Sequence, residues 1–259
     1  MRVTYRKNSA KEYWTKRWTS IQTDEPMENT SVYPLKYALQ GISLMRKGGK
    51  ILEAGCGNGR ILRWLYEHGY DVVGMDYIPE AIEKINKETN IVAETGDILN
   101  MHYEDEKFSS VMAFGLYHSL PPELQDRAFS ETKRILEKDG ILVCSFRADN
   151  INTRISDWLR AKESRHAQRE FHKLNLTKKE FNDILTKNGF SILKIEPVVN
   201  MPILYKYKLF RHKKHKIFNE HIGRKEGYRL NAAGNLIMKA LMSLFPDQTC
   251  NIFLAVAKK

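Results

Sequence analysis

The chain has 259 residues, 42% hydrophobic and 28% charged, which fits one large α/β domain with insertions. No stretch reaches the roughly 18 apolar residues of a membrane span; the best candidate, Leu236 to Phe245, is short and interrupted by Lys239. A formal net charge of +11 suits either a polyanionic partner or a solvated basic face.

The first 20 residues are charged and aromatic, without an apolar leader, so a cytoplasmic location is expected. Cys56, Cys144 and Cys250 are odd in number and lack Cys-x-x-Cys spacing. That fits a reducing compartment and implies no metal site. Tyr13, Trp14 and Trp18 recur at helical spacing and give residues 1–30 an aromatic helix face. Pro34 opens a second helix over 34–47, with Leu35, Ala38, Leu39, Ile42 and Met45 on one face and Gly48-Gly49 as its stop.

Residues 51–60 read Ile-Leu-Glu-Ala-Gly-Cys-Gly-Asn-Gly-Arg. A buried strand ends in Glu53. Glycines follow at alternate positions (Gly55, Gly57, Gly59), and an amphipathic helix runs over about 59–68. Glycine is needed where the backbone takes positive φ or a ligand approaches main chain. A second strand, 71–75, leads to Asp76, about 20 residues after the turn, the spacing of a ribose-binding acid. Pro79 starts a helix, a third strand over 91–94 leads to Asp97, and a fourth spans 108–114. Pro121-Pro122 open a helix to Leu136, and strand five is 141–146. Successive strands followed by acids put carboxylates at the edge where open α/β sheets bind ligands.

Beyond strand five, 147–176 is basic and read as helical. Thr177-Lys178-Lys179-Glu180 is a capping box. Strand six is 190–196, the connection 198–249 is long, and a last strand covers 250–257. Alternating strands and helices predict a mostly parallel sheet covered by helices. The charge is uneven: residues 1–150 hold 20 Lys/Arg against 22 Asp/Glu, and residues 151–259 hold 22 against 9.

The glycine spacing is Gly-x-Gly-x-Gly, with Arg60 where a dinucleotide motif has its last glycine, and Glu53 beside the turn would repel a pyrophosphate. S-adenosylmethionine carries two cationic groups, a ribose and an adenine, and no phosphate. Residues 51–59 resemble motif I of the class I S-adenosylmethionine-dependent methyltransferases, and Asp76, Asp97 and strand four fall where that family has its later motifs. The resemblance covers residues 48–146. It implies a Rossmann-like α/β fold with a seven-stranded, mostly parallel sheet, its last strand antiparallel between strands five and six. Helical insertions would follow strand five and lie between the last two strands.

By that resemblance Glu53, Gly55, Gly57 and Gly59 hold the methionine part. Asp76 holds the ribose hydroxyls and Tyr77 lies near the adenine. Asp97 and the backbone of Ile98 meet the adenine amine, and Phe114 and Gly115 line the methionine end. His118, in the loop after strand four, is the candidate catalytic base; the other reading is a hydrogen-bonded loop histidine that shapes the pocket. The N-terminal aromatic helix either packs on the domain or covers the cofactor as a lid.

The expected organisation is a helical lid or packing segment (1–47), a cofactor-binding core (48–146), a C-terminal part with basic cap insertions (147–249) and a final strand (250–259). The expected function is methyl transfer to a small-molecule or glycan- or lipid-linked acceptor at oxygen. In residues 205–229 basic residues interleave with Tyr205, Tyr207 and Phe210. This segment is either an RNA or anionic-membrane footprint or an acceptor-selecting cap whose Phe218, Leu230, Leu236, Ile237 and Leu241 pack over the active site. RNA methyltransferase, a non-catalytic cofactor-binding relative and a nicotinamide enzyme are the competing readings.

Overall fold

The computed structural model describes residues 1–20, 26–161 and 170–259. In chain order these form β1 (Arg2–Arg6), α1 (Ala10–Ser20), α2 (Leu35–Ile42), β2 (Ile51–Ala54), α3 (Arg60–Glu67), β3 (Val72–Asp76), α4 (Pro79–Glu88), β4 (Ala93–Thr95), β5 (Phe108–Ala113), α5 (Gln125–Ile135), β6 (Leu136–Ala148), α6 (Ile151–Ala161), β7 (Glu170–Leu176), α7 (Lys178–Lys187), β8 (Ser191–Val198), α8 (Glu220–Glu226), α9 (Ala232–Leu244), α10 (Pro246–Thr249) and β9 (Ile252–Lys258).

Strands β2, β3 and β5 are buried along their whole length. Helices cover both faces of such strands, which is why they read as continuous apolar runs. β2 runs parallel to β3 and to β5, β3 to β4, and β5 to β6. β9 lies antiparallel between β6 and β8. Seven strands run in the order β4-β3-β2-β5-β6-β9-β8, and the inserted antiparallel last strand is as expected. Tyr117, Phe129, Phe146 and Phe181 fill one side of the sheet, and Leu35, Ile61, Leu62 and Ile85 fill the other.

Two further strands correct the expectation. Residues 170–176, read as part of a helical insertion, form β7, and residues 2–6 form β1 antiparallel to it. Of the expected insertion, α6 is helical, and 162–169 lie outside the described residues, as do 21–25 of the N-terminal segment. β7 joins the sheet at the end of β6, where Arg147 and Ala148 pair with Asn175 and Leu176. Its apolar alternation is broken by a bulge: Thr4 faces Lys173 and Tyr5 faces Phe171, which leaves His172 as the extra residue.

A polar network pins this extra pair. The Arg147 guanidinium donates to both Asp157 carboxylate oxygens at 2.6 and 2.8 Å. Arg2 donates to Asp157 at 2.8 Å and to Asp149 at 2.6 Å. Buried Asn175 accepts from Arg147 and donates to the Arg2 carbonyl at 2.9 Å. Burial opposes ionisation of Asp157, but the two guanidiniums outweigh it and hold its carboxyl below the usual range. At the far end of β7 the capping box on Thr177 and Glu180 forms as expected.

Asp157→Asn removes the charge that two half-buried guanidiniums share. We expect it to lower the unfolding free energy by about 2 kcal/mol, read as a lower urea midpoint at unchanged slope.

Candidate functional site: a glycine turn under a tryptophan

The turn between β2 and α3 is built by three glycines in the left-handed region, Gly55 (φ 73), Gly57 (φ 55) and Gly59 (φ 78). The N–H groups of Gly55 and Cys56 donate to the Met75 carbonyl at 2.7 and 3.0 Å. Asp76 fixes the rest: one carboxylate oxygen accepts from the Gly57 N–H at 2.8 Å, the other from the Ile78 N–H at 2.9 Å. Burial pushes its pKa up, against the pull of these backbone donors. Glu53 is buried one step away at the end of β2.

Asp97 follows β4 and accepts from the Leu99 N–H at 2.9 Å, beside buried Ile98. Tyr77 is half exposed, with the Lys11 ammonium 5.8 Å above its ring. Phe114 meets Tyr33 edge-on at 5.7 Å. Gly115, at φ 78, donates its N–H to the Ser145 hydroxyl at 2.9 Å, and that oxygen also bonds the Tyr33 hydroxyl at 3.0 Å.

His118 lies in a single 3-10 turn, 117–119. Tyr117 anchors this turn: it is fully buried, stacked on Phe129 at 4.2 Å and bonded to the Thr132 hydroxyl at 2.6 Å. The His118 ring folds back to Gly115, where an added Cβ would sit 3.6 Å from its Cε1. It is 8% exposed, and its Nδ1 is buried with no hydrogen-bond partner. Burial, with Lys173, Arg147 and His172 nearby, holds its pKa well below the ordinary histidine value.

Trp18 crosses over the glycine turn. A Cβ on Gly57 would lie 2.6 Å from its indole. Trp14 stacks on Trp18 at 5.5 Å, the Arg224 guanidinium sits 5.3 Å from the Trp18 ring, and Lys84 of α4 donates to the Trp18 carbonyl. Arg17 pairs with Glu220 of α8, Lys225 pairs with Glu28, and Arg60 donates to the Arg224 carbonyl at 2.8 Å. Helices α1 and α8 thus close together on the turn. Sequence reasoning picked out the aromatic face of α1 but not the part played by α8. Nor did it find His172, which packs beside Tyr13 at 6.4 Å. Burial and neighbouring cations push His172 down to about 3.

The C-terminal cap differs from the expectation in which side chains it buries. Tyr205, Leu230 and Met238 form its own small core, joined by partly buried Phe210 and Leu241. Tyr205 is 1% exposed, so it is not available to stack a base. Phe218, Leu236 and Ile237 are exposed rather than packed over the site.

A family model described as a methyltransferase domain matches residues 51–140, the segment holding the glycine turn, Asp76, Asp97, Gly115 and His118. Residues 51–140 thus carry a methyltransferase domain. A 2-heptyl-1-hydroxyquinolin-4(1H)-one methyltransferase of Mycobacteroides abscessus is 33% identical over 84 residues; the match covers 30% of this chain and 37% of that relative. A solved S-adenosylmethionine-dependent methyltransferase of Methanosarcina mazei superposes with a TM-score of 0.59 at 16% identity, covering 88% of this chain and 98% of that one. Another, from Archaeoglobus fulgidus, gives 0.58 at 18% identity, covering 86% and 92%. At these identities the solved structures show the fold.

The site of the methyltransferase domain fits S-adenosylmethionine, the family's cofactor. The positive-φ glycines carry no Cβ, so a flat group can approach the main chain closely, as the Trp18 indole does at Gly57. Glu53, Asp76 and Asp97 make the strand ends acidic, which suits a polyol and cationic groups and opposes phosphates.

Gly57→Ala combines a strained φ with the Trp18 clash, so we expect S-adenosylmethionine binding by calorimetry to weaken at least tenfold. A histidine whose folded pKa is lowered stabilises the fold fully above its unfolded pKa of about 6.5, and that contribution is lost as pH falls towards the folded value. For His172 the window runs from about 6.5 to about 3. The melting temperature should therefore fall on acidification through this range, and fall less steeply in His172→Gln.

Proposed function

We propose that the protein transfers a methyl group from S-adenosylmethionine to a small-molecule acceptor at oxygen. The observation that carries this reading is the buried Nδ1 of His118, which has no hydrogen-bond partner, beside Gly115, on the sheet edge that holds the glycine turn. The donor supplies an already activated methyl, so the chain's part is largely positioning. Glu53, Gly55, Gly57 and Gly59 hold the methionine part, and Asp76 the ribose hydroxyls. Tyr77, Asp97 and Ile98 hold the adenine. Phe114 and Gly115 line the methionine end, and Trp18 covers the turn and excludes water.

His118 accepts the proton of the acceptor hydroxyl. Its lowered pKa keeps the imidazole neutral, and so able to accept, well into the acid range. A neutral base of low pKa is weak by itself. The neighbouring cations, Lys173 and Arg147, compensate by favouring an ionised acceptor oxygen. The Mycobacteroides abscessus relative, whose acceptor carries a hydroxyl and a heptyl chain by name, supports a small hydroxylated acceptor, and a glycan- or lipid-linked hydroxyl meets the same chemistry. Among the described residues no helix is long and apolar enough to cross a membrane.

The direct test is methyl-labelled S-adenosylmethionine with host extract, followed by separation of nucleic acid, protein, lipid and small-molecule fractions. Label in the lipid or small-molecule fraction is expected; label in ribonuclease-sensitive material overturns the reading. With an acceptor in hand, His118→Ala should lower turnover about a hundredfold and leave cofactor affinity unchanged. The acid limb of the wild-type rate should lie below pH 6.5, because the folded imidazole resists protonation.

A further inference from the structure

Helix α9 has two faces, and both are apolar. Gly234, Met238, Leu241 and Met242 turn into the small core of the cap. Ala233, Leu236, Ile237, Ala240 and Leu244 fall within an arc of about 100° on the other side, and all five are exposed. Leu236 is 71% and Leu244 70% exposed. The polar residues Lys239 and Ser243 lie along one flank of this arc, not within it. An amphipathic helix in a globular protein turns such an arc to the core; here the arc faces outward.

Beside it lies the basic loop 206–216. It is fastened to the start of α9: the Asn231 N–H donates to the Phe210 carbonyl at 2.8 Å, the Asn231 side-chain amide donates to the Leu209 carbonyl at 2.7 Å, and the His212 N–H donates to the Arg229 carbonyl at 3.1 Å. Residues 205–217 contain six Lys/Arg and no Asp/Glu. Lys208, Lys213, Lys214 and Lys216 are exposed, and so are Leu209 (78%) and Ile217 (84%), which alternate with them.

We propose that this face of the cap, α9 with loop 206–216, docks on an anionic lipid surface. Insertion of aliphatic side chains below a ring of lysines is the chemistry of an interfacial helix on acidic headgroups. Tyr207 is exposed in the loop, but the exposed apolar side chains of α9 are aliphatic and Tyr205 is buried, so the face lacks the row of rings on which single-stranded nucleic acid stacks successive bases. A second copy across a twofold axis would bring the same lysine-rich patch against itself. The inference stands apart from the methyl-transfer reading, since it concerns a surface that the cofactor turn does not include.

The test is co-sedimentation of the full chain with phosphatidylcholine vesicles, with and without phosphatidylglycerol. Two variants accompany the wild type: Leu236→Glu with Leu244→Glu, and Lys213→Glu with Lys214→Glu and Lys216→Glu. Both should keep the wild-type near-ultraviolet circular dichroism, because every substituted side chain is exposed. We expect binding only to the phosphatidylglycerol vesicles, reduced about tenfold or more in either variant. Absence of vesicle binding overturns the proposal. So does binding that the leucine pair does not affect, which would be charge adsorption alone. A wild-type dimer by light scattering that Leu236→Glu with Leu244→Glu dissolves would make the face an interface between copies, and binding to single-stranded RNA that both variants abolish would make it an RNA surface.

Discussion

The Asp76 carboxylate is the constraint on which the site depends. It accepts from Gly57 on one side and from Ile78 on the other, and so fastens the end of β3 to the turn after β2. A turn of alternate glycines has little conformational preference of its own. Two charge-assisted bonds to backbone donors give it one shape. They also hold a buried carboxylate against a desolvation cost that pulls its pKa upward. Satisfying the turn's own donor and presenting an acid to a ligand use different lone pairs of the same two oxygens.

Everything laid over that turn comes from distant parts of the chain. Trp18 arrives from α1 and Arg224 from α8, and the Arg17–Glu220 and Lys225–Glu28 pairs tie those segments together. The insertion before the last strand is therefore mechanically joined to the N-terminal helix. A change in how the cap sits has a direct path to Trp18, and through it to Gly57. Partly exposed ion pairs of this kind contribute little stability each.

The surroundings of His118 are set by charge as well as by packing. His118 and His172 are kept neutral by burial and by neighbouring Lys173, Arg147 and Arg6. β7 brings His172 and Lys173 to this place, and it was not legible in the sequence. Its alternation is interrupted at His172, and its partner β1 lies some 170 positions away in a segment with no strand pattern of its own. The same bulge that hid the strand gives His172 a direction of its own. The cap was legible only as basic and aromatic. That composition did not say which aromatics it would bury, and Tyr205 went inside while Phe218 stayed out, because three short segments had to assemble a core before any face was defined.

The sequence by itself determined the methyltransferase core. Each of its parts is encoded within a few residues: apolar runs for fully buried strands, glycines where φ must be positive, acids just past strand ends, and prolines and a capping box at helix starts. Local patterns of this kind carry their own physical reason and survive any arrangement of the rest. The tertiary structure alone decided what closes over the turn, which charges surround His118, and which side of α9 faces solvent. Those outcomes depend on contacts between residues far apart in the chain, and their energies arise only once the sheet has brought the segments together.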